Sequence, residues 1–325
     1  MNILVCGGAG YVGSHMVRYL LEKGHEVVVY DNLSTGHRES VPAGTPFVHG
    51  DIGDAGKLAR VFADHTFGAV MHFCARSLVG ESVIDPYAYY ENNVGNTIAL
   101  LDAMRHAGVD RLVFSSTAAV FGHPVSATID ESHPTTPINP YGQSKLMIEQ
   151  VLADAAKAYG LRSVALRYFN AAGASACGSI GEAHDPETHL IPNVLKAVLG
   201  HGKGLKVFGS DYDTRDGTCV RDYVHVNDLA SAHLLAIDYM ARNEGAFTFN
   251  LGNGEGFTVR EVIAAAEKVT GRPVPHEFAE RREGDPAVLV ASSQQAHTEL
   301  GWRPEMARME DILASAWQWH LQPKF

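Results

Sequence analysis

Ile3-Leu4-Val5-Cys6-Gly7-Gly8-Ala9-Gly10-Tyr11-Val12-Gly13 opens this chain with a strand, a glycine turn and the head of a helix. Its first residues are an apolar run that reads as a strand, and its last place glycines at 7, 10 and 13. The residues that follow predict a helix over Ser14–Lys23, stopped by Gly24. A strand that turns through glycines into a helix aims the helix's first unpaired amides at the turn. Gly10 lets the backbone approach a pyrophosphate there. A second strand over Glu26–Tyr30 is followed at once by Asp31, and the Gly7-to-Asp31 spacing suits a ribose-binding carboxylate. An acid there accepts from the 2′- and 3′-hydroxyls of NAD and repels a 2′-phosphate. Asp51-Ile52, after a third strand at Phe47–His49, is placed to touch the adenine.

Outward from this stretch, apolar runs alternate with helical segments, the pattern of a parallel sheet with crossover helices. Further strands are expected at Ala69–Phe73, Arg111–Ser115 and Ser163–Arg167. One long helix is expected over Glu81–Ala107, carrying Asn92 and Asn93, and another over Ser144–Tyr159, ended by Gly160. The expected fold class is α/β: a Rossmann-type doubly wound parallel sheet with a smaller, mainly C-terminal substrate-binding domain. Residues 1–170 are assigned to the first domain and 171–325 mainly to the second, with 219–239 returning to the first.

The bulk numbers narrow the partners. The 325 residues carry 26 basic and 37 acidic side chains, a net charge of −11 that argues against nucleic acid or an anionic membrane as partner. Cys6, Cys74, Cys177 and Cys219 have no CxxC spacing, so neither a disulfide scaffold nor a metal site is expected. The chain enters a strand at Asn2 and holds no apolar run of about 18 residues, which gives an expectation of a cytoplasmic protein without leader or membrane span.

A second motif supplies chemistry. Tyr141-Gly142-Gln143-Ser144-Lys145 puts a phenol and an ammonium four residues apart at a helix start, on one face. A free phenol, with pKa about 10, is a poor base at neutral pH. A neighbouring ammonium and a positive nicotinamide favour its phenolate. Thr117, at the end of Ser115-Ser116-Thr117, brings a hydroxyl to the carboxyl edge of the sheet, where doubly wound folds keep their chemistry. Tyr141, Lys145 and Thr117 are therefore the candidate catalytic residues, suited to moving a proton beside a hydride. In the second half, Leu190, Phe208, Arg221 and Arg282 offer an apolar wall, an aromatic ring and two guanidiniums. Those are the elements that a nucleoside diphosphate needs. Leu190 and Phe208 also suit plain core, and Arg281-Arg282 a solvated pair.

With these residues in view, the chain resembles the extended short-chain dehydrogenase/reductases, and within them the bacterial UDP-glucose 4-epimerase family, almost end to end. The resemblance lies in GGAGYVGSH at 7–15, DNLSTGH at 31–37, GDI at 50–52, SST at 115–117, YGQSK at 141–145, RYFNAAGA at 167–174, PETHLIP at 186–192, RDYVHVNDLA at 221–230 and RREGDP at 281–286. It implies NAD as a tightly bound cofactor, UDP-glucose and UDP-galactose as substrates, N-acetylated UDP-hexosamines as further candidates, and a homodimer. It adds Tyr11, Val12, Gly13, Asn32, Phe73, Ser77, Asn92 and Tyr168 to the cofactor-facing residues. On the substrate side it implies Phe208 against the uracil, Arg221, Arg282 and Asn170 on the diphosphate, Asp285 on the uridine ribose, and His189 and Leu289 nearby. Ser77 stands where some members carry a lysine near the cofactor phosphates, and Arg76 is a candidate to compensate. Leu289 stands where others carry a tyrosine, leaving room beside the sugar's 2-substituent.

Three rival readings stay open at this point. A 4,6-dehydratase needs acids just after the strand-end threonine, where this chain has Ala118 and Ala119. A deoxysugar reductase would exchange its cofactor each turnover. A non-catalytic nucleotide-sugar binding protein would have no use for Tyr141, Lys145 and Thr117 together.

Overall fold

The structure, a computed structural model, describes residues 1–201, 204–282 and 284–325. The first six strands, β1 (Asn2–Cys6), β2 (Glu26–Asp31), β3 (Phe47–His49), β4 (Ala69–His72), β5 (Arg111–Thr117) and β6 (Arg162–Tyr168), lie where the apolar runs place them. They are followed by β7 (Asn170–Ala172), β8 (Leu205–Phe208), β9 (Val220–Arg221), β10 (Tyr223–His225), β11 (Ala246–Leu251), β12 (Phe257–Thr258), β13 (His276–Ala279) and β14 (Val288–Leu289). The helices are α1 (Tyr11–Glu22), α2 (Ala55–Asp64), α3 (Val79–Ile84), α4 (Pro86–Tyr89), α5 (Asn96–His106), α6 (Pro140–Tyr159), α7 (Leu190–Val198), α8 (Val226–Met240), α9 (Val259–Thr270) and α10 (Met309–Leu321).

Seven strands form one sheet in the order β11-β6-β5-β4-β1-β2-β3, with every pairing parallel. A parallel sheet is covered on both faces, so its strands are apolar almost throughout. Ile3, Leu4, Val5 and Cys6 of β1 are fully buried, Ile3 and Val5 facing one core and Leu4 and Cys6 the other. Strand order reverses between β1 and β4, and the crevice beyond their carboxyl ends is where such sheets take ligands. A second core, built from α7, α9 and α10 around Ile191, Val194, Leu195, Val262, Leu313 and Trp317, stands beside the sheet.

Three expectations about elements are corrected. Helix α1 begins at Tyr11, three residues before the expected start, because Gly10 is extended and serves as its N-cap (φ −76°, ψ 175°). The expected helix over 81–107 is broken into α3, α4, a wide π-type turn at Tyr90–Gly95, and α5. Pro86 is the cause: it has no N–H and drives Asp85 out of the helical region, to φ −127° and ψ 75°. Helix α6 starts at Pro140 rather than Ser144, with the Asn139 side chain accepting the Gly142 N–H at 2.8 Å. Tyr141 thus stands inside the first turn.

The return to the first core also runs beyond 219–239. Strand β11 extends the main sheet beside β6, and Ala296, Leu300 and Trp302 pack into the same core as α8. Phe249 and Leu251 carry β11 there, since both are fully buried against the sheet edge. No helix among the described residues is long and apolar enough to cross a membrane.

Candidate active site

The glycine turn is set by close approach. Gly7 has φ +80°, and a Cβ on it would stand 2.6 Å from the Phe73 carbonyl carbon. A Cβ on Gly13 would stand 2.1 Å from the Gly7 oxygen, so only glycine lets α1 pack this near β1. Gly10 N–H donates to the Gly7 carbonyl at 3.2 Å. Tyr11 and Val12 are half-buried at the head of α1, and the Tyr11 hydroxyl donates to the Gly173 carbonyl at 2.6 Å.

Asp31, at the end of β2, accepts the Ala9 and Leu33 N–H groups, each at 2.8 Å. Burial pushes its carboxyl up, and those two bonds pull it back. The two N–H groups occupy one lone pair on each oxygen, leaving others to accept from hydroxyls. Asp51 accepts from Asn32 Nδ2 at 2.7 Å and from Gly53 N–H at 2.8 Å. Ile52 is buried in the core that holds Leu4, Val28 and Leu58. Phe73 is half-buried, its ring 4.8 Å from the buried His233.

Ser77 is exposed, and the neighbouring Arg76 guanidinium is engaged with Glu81 at 3.3 Å. Asn92 sits in the wide turn and donates to Asn93 Oδ1 at 2.9 Å. Asn93 is the buried member: its Nδ2 donates to the Arg76 carbonyl and to Ser144 Oγ, each at 3.0 Å, and its Oδ1 accepts the Arg76 N–H. It ties the loop after β4 to α6.

The candidate catalytic residues gather at the carboxyl edge of β5. Thr117 is the last residue of that strand, paired in register with Tyr168 at the end of β6. Burial pushes the Tyr141 phenol up, while its contact with the Thr117 hydroxyl pulls it down. The Tyr168 phenol is raised by burial, eased by Ser115, and raised further by Tyr141. Lys145 is 3% exposed, and its ammonium donates to the Ser115 carbonyl at 2.7 Å. Burial lowers its pKa to about 8, against the opposing pull of Cys74 and Glu149. An ammonium carries three donors, so two remain for other acceptors.

A dinucleotide fits these residues. The turn at Gly7, Gly10 and Gly13 is held so tightly that a Cβ at Gly7 or Gly13 would strike neighbouring backbone, and the bare Gly10 backbone at the head of α1 is open to a pyrophosphate. Asp31 keeps acceptor capacity for a ribose, and Lys145 keeps donors.

Beneath this set lies a buried ion pair that sequence reading missed. Glu149 accepts Arg167 Nε at 3.0 Å and Ser116 Oγ at 2.5 Å. It stands one turn beyond Lys145 on α6, so the spacing Tyr141, Lys145, Glu149 was the available signal.

The second group of residues lies on short strands beside the second core. Asn170, in β7, donates to the Asp222 carbonyl at 2.6 Å. Arg221 and Asp285 hold each other at 2.5 Å, and the Arg282 guanidinium lies 4.1 Å over the Phe208 ring. Arg282 is therefore not a free solvated pair with Arg281, which bonds Asp211 at 2.7 Å. Leu289 pairs in register with Arg221 and packs on the cluster of Val120, Phe121, Ile129 and Leu146. That cluster follows directly on Thr117, so Leu289 links the two groups. Leu190 is half-buried at the start of α7, against the second core. His189 is committed elsewhere: its Nδ1 bonds Glu182.

Comparison with known proteins places this geometry. Residues 3–252 match the NAD dependent epimerase/dehydratase family. The chain is 53% identical to a UDP-glucose 4-epimerase of Halalkalibacterium halodurans over 320 residues, covering 98% of this chain and 96% of that one. It is 54% identical to a UDP-glucose 4-epimerase of Rhizobium meliloti, covering 98% and 97%. Among solved structures, UDP-glucose 4-epimerase from Brucella ovis in complex with NAD superposes with a TM-score of 0.94 at 48% identity, covering 98% of each chain.

Proposed function

This chain belongs to the NAD dependent epimerase/dehydratase family, and we propose that it catalyses the reversible C4 epimerisation of UDP-glucose and UDP-galactose with NAD as its cofactor. The observation that carries the reading is a pairing. A proton-handling set of Tyr141, Lys145 and Thr117 is joined through Leu289 to a nucleotide-holding set of Arg221, Asp285, Arg282 and Phe208.

NAD held by this site would supply the acceptor for the hydride of the sugar's C4 and give that hydride back to the opposite face. Tyr141 takes the proton from the C4 hydroxyl and gives it back, with the Thr117 hydroxyl orienting that oxygen. Lys145 holds positive charge beside the phenol and offers its remaining N–H groups to the cofactor's ribose. Gly7, Gly10, Tyr11, Val12 and Gly13 cradle the pyrophosphate, Asp31 and Asn32 hold the adenosine ribose, and Asp51 and Ile52 border the adenine. Phe73, Ser77, Asn92 and Tyr168 complete the cofactor's surroundings.

On the substrate side, Phe208 and Leu190 flank the base, Asp285 meets the uridine ribose, and Asn170, Arg221 and Arg282 grip the diphosphate. His189 borders this region. The nucleotide stays held while the 4-keto hexose turns, so binding energy is realised away from the reacting carbon. Leu289 borders the hexose, and its size admits N-acetylated UDP-hexosamines.

The 4,6-dehydratase reading is disfavoured by Ala118 and Ala119, which leave no acid beside Thr117. The nearest acid on α6, Glu149, is spent on Arg167 and Ser116. We also assign a homodimer, because α3, α4 and α5 expose Val83, Ile84, Tyr87 and Ile98, an apolar group that a second copy would cover. Light scattering should give a mass near twice 35.1 kDa.

The deciding experiment is incubation of UDP-galactose with the purified protein and no added reductant. UDP-glucose on nucleotide-sugar chromatography is the expected product. A 4-keto-6-deoxy product would establish the dehydratase, and no turnover by protein carrying NAD would leave binding alone.

A further inference from the structure

Between β7 and α7 the chain brings Glu182, His184, Glu187 and His189 together, two imidazoles and two carboxylates whose ligand atoms all lie within 4.8 Å of one another. Their spacing has no CxxC signature, and the sequence reading of no metal site rested on that signature.

The cluster is built rather than incidental. Glu182 is 5% exposed, and its backbone carbonyl accepts the Trp319 indole N–H at 2.9 Å. One oxygen of its carboxylate bonds both His184 Nδ1, at 3.1 Å, and His189 Nδ1. Glu187 uses one oxygen to accept the Thr188 and His189 N–H groups, each at 2.9 Å. Its other oxygen is shielded from solvent and has no partner. An orphaned carboxylate oxygen beside a second buried carboxylate is costly, and a cation relieves both defects.

The geometry points to a divalent transition-metal site of the zinc class, formed by one carboxylate oxygen each from Glu182 and Glu187 and one ring nitrogen each from His184 and His189. Four nitrogen and oxygen ligands at zinc distances stand roughly 3.4 Å apart around a tetrahedron, so pairs as far apart as 4.8 Å close by up to about 1.4 Å while the two Glu182–imidazole contacts open slightly. Mixed imidazole and carboxylate ligands suit zinc better than calcium or magnesium, which prefer oxygen alone. The ion would displace the protons that the two imidazoles share with Glu182.

Its place in the fold sets its role. The His184 ring meets the Tyr11 ring edge-on, with centroids 6.2 Å apart, and His37 Nε2 bonds the Ala183 carbonyl at 3.1 Å. A metal here would staple the segment before α7 to the head of α1. It is a structural site that takes no part in the chemistry proposed above, although His189 and Tyr11 set it at the edge of the nucleotide and cofactor residues.

The test uses the full chain with its cofactor, treated with a chelator and then titrated with Zn²⁺ alone by calorimetry, and with Co²⁺ as a spectroscopic probe. One saturable Zn²⁺ per chain is expected, with a Kd in the micromolar range or tighter, together with the intense visible absorption of four-coordinate Co²⁺. Zn²⁺ should raise the Tm of the wild type. His184→Ala and Glu187→Gln should each weaken Zn²⁺ binding at least ~10-fold, the lower end of what removing even an outer partner of a metal ligand does, and should abolish the Tm rise. Absence of saturable uptake by the wild type, a measurement that needs no variant, would overturn the site. Uptake undiminished in both variants would place the metal on other histidines and overturn it equally.

Discussion

Lys145, on α6 and 3% exposed, donates at 2.7 Å to the backbone carbonyl of Ser115, which stands two residues before Thr117 on β5. That bond fixes an ammonium at the carboxyl edge of the sheet, beside a phenol that burial pushes upward. Removing the phenol oxygen in Tyr141→Phe should lower kcat by roughly 10²- to 10⁴-fold, the scale of positioned acid–base groups. Burial holds the Lys145 pKa at about 8, so its charge is present below that pH and lost above it. Epimerase activity should therefore decline on the alkaline side of about 8, and Lys145→Met should lack that limb. Steady-state rates across pH in both proteins check this; an identical alkaline limb in Lys145→Met would assign it to another group.

Glu149 and Arg167 are a buried pair, with side chains 6% and 7% exposed. Glu149→Gln leaves the guanidinium without its counter-charge and should cost about 3–5 kcal/mol of stability. The double variant Glu149→Gln/Arg167→Met should recover most of that loss, because it removes the stranded charge. Urea unfolding of the single and double variants measures it. A double variant as unstable as Glu149→Gln would show that packing, not charge, sets the cost.

Leu289 touches the cluster that follows Thr117, and its strand neighbour is Arg221. Leu289→Tyr adds bulk beside the hexose and should suppress epimerisation of UDP-N-acetylgalactosamine more than that of UDP-galactose, since an acetamido group fills space that a hydroxyl does not. The ratio of kcat/KM for the two sugars reads this directly. An unchanged ratio would place the specificity elsewhere.

His15, His225, His233 and His320 are held neutral in the fold, each lowered by burial from 6.5 to about 4. The sign follows from proton counts. Between 6.5 and 4 the unfolded chain binds protons at these residues that the folded chain does not, so stability falls as pH drops through that window. Above 6.5 both states are neutral there, and this contribution is flat. Urea unfolding at pH 7, 6 and 5 should show a progressive loss, and equal free energies at all three would contradict it.

Much of the sheet was legible in the chain because a parallel strand buried on both faces must be apolar throughout. Ile3-Leu4-Val5-Cys6, Ala69-Val70-Met71 and Leu112-Val113-Phe114 meet that demand locally, whatever lies around them. Elements were misplaced where one residue's backbone chemistry overrode the pattern. Pro86 split a long helical stretch, and Gly10 and Asn139 started helices earlier than the apolar pattern suggested. Strand β11 escaped notice because it is an edge strand with one neighbour, and its burial depends on β6, about 80 residues upstream.

A strand, a glycine turn and a helix suited to a dinucleotide, and Tyr141 and Lys145 on one helix face, follow from residue order alone. Both are matters of short-range geometry, set by spacing along one strand or one helical turn. The pairing of Arg221 with Asp285, the stacking of Arg282 over Phe208, the anchoring of Arg167 by Glu149 and the convergence of Glu182, His184, Glu187 and His189 arise only once the chain is folded. The physical reason is that charges find partners wherever folding brings opposite sign within reach, and Arg221 and Asp285 are 64 residues apart in the chain.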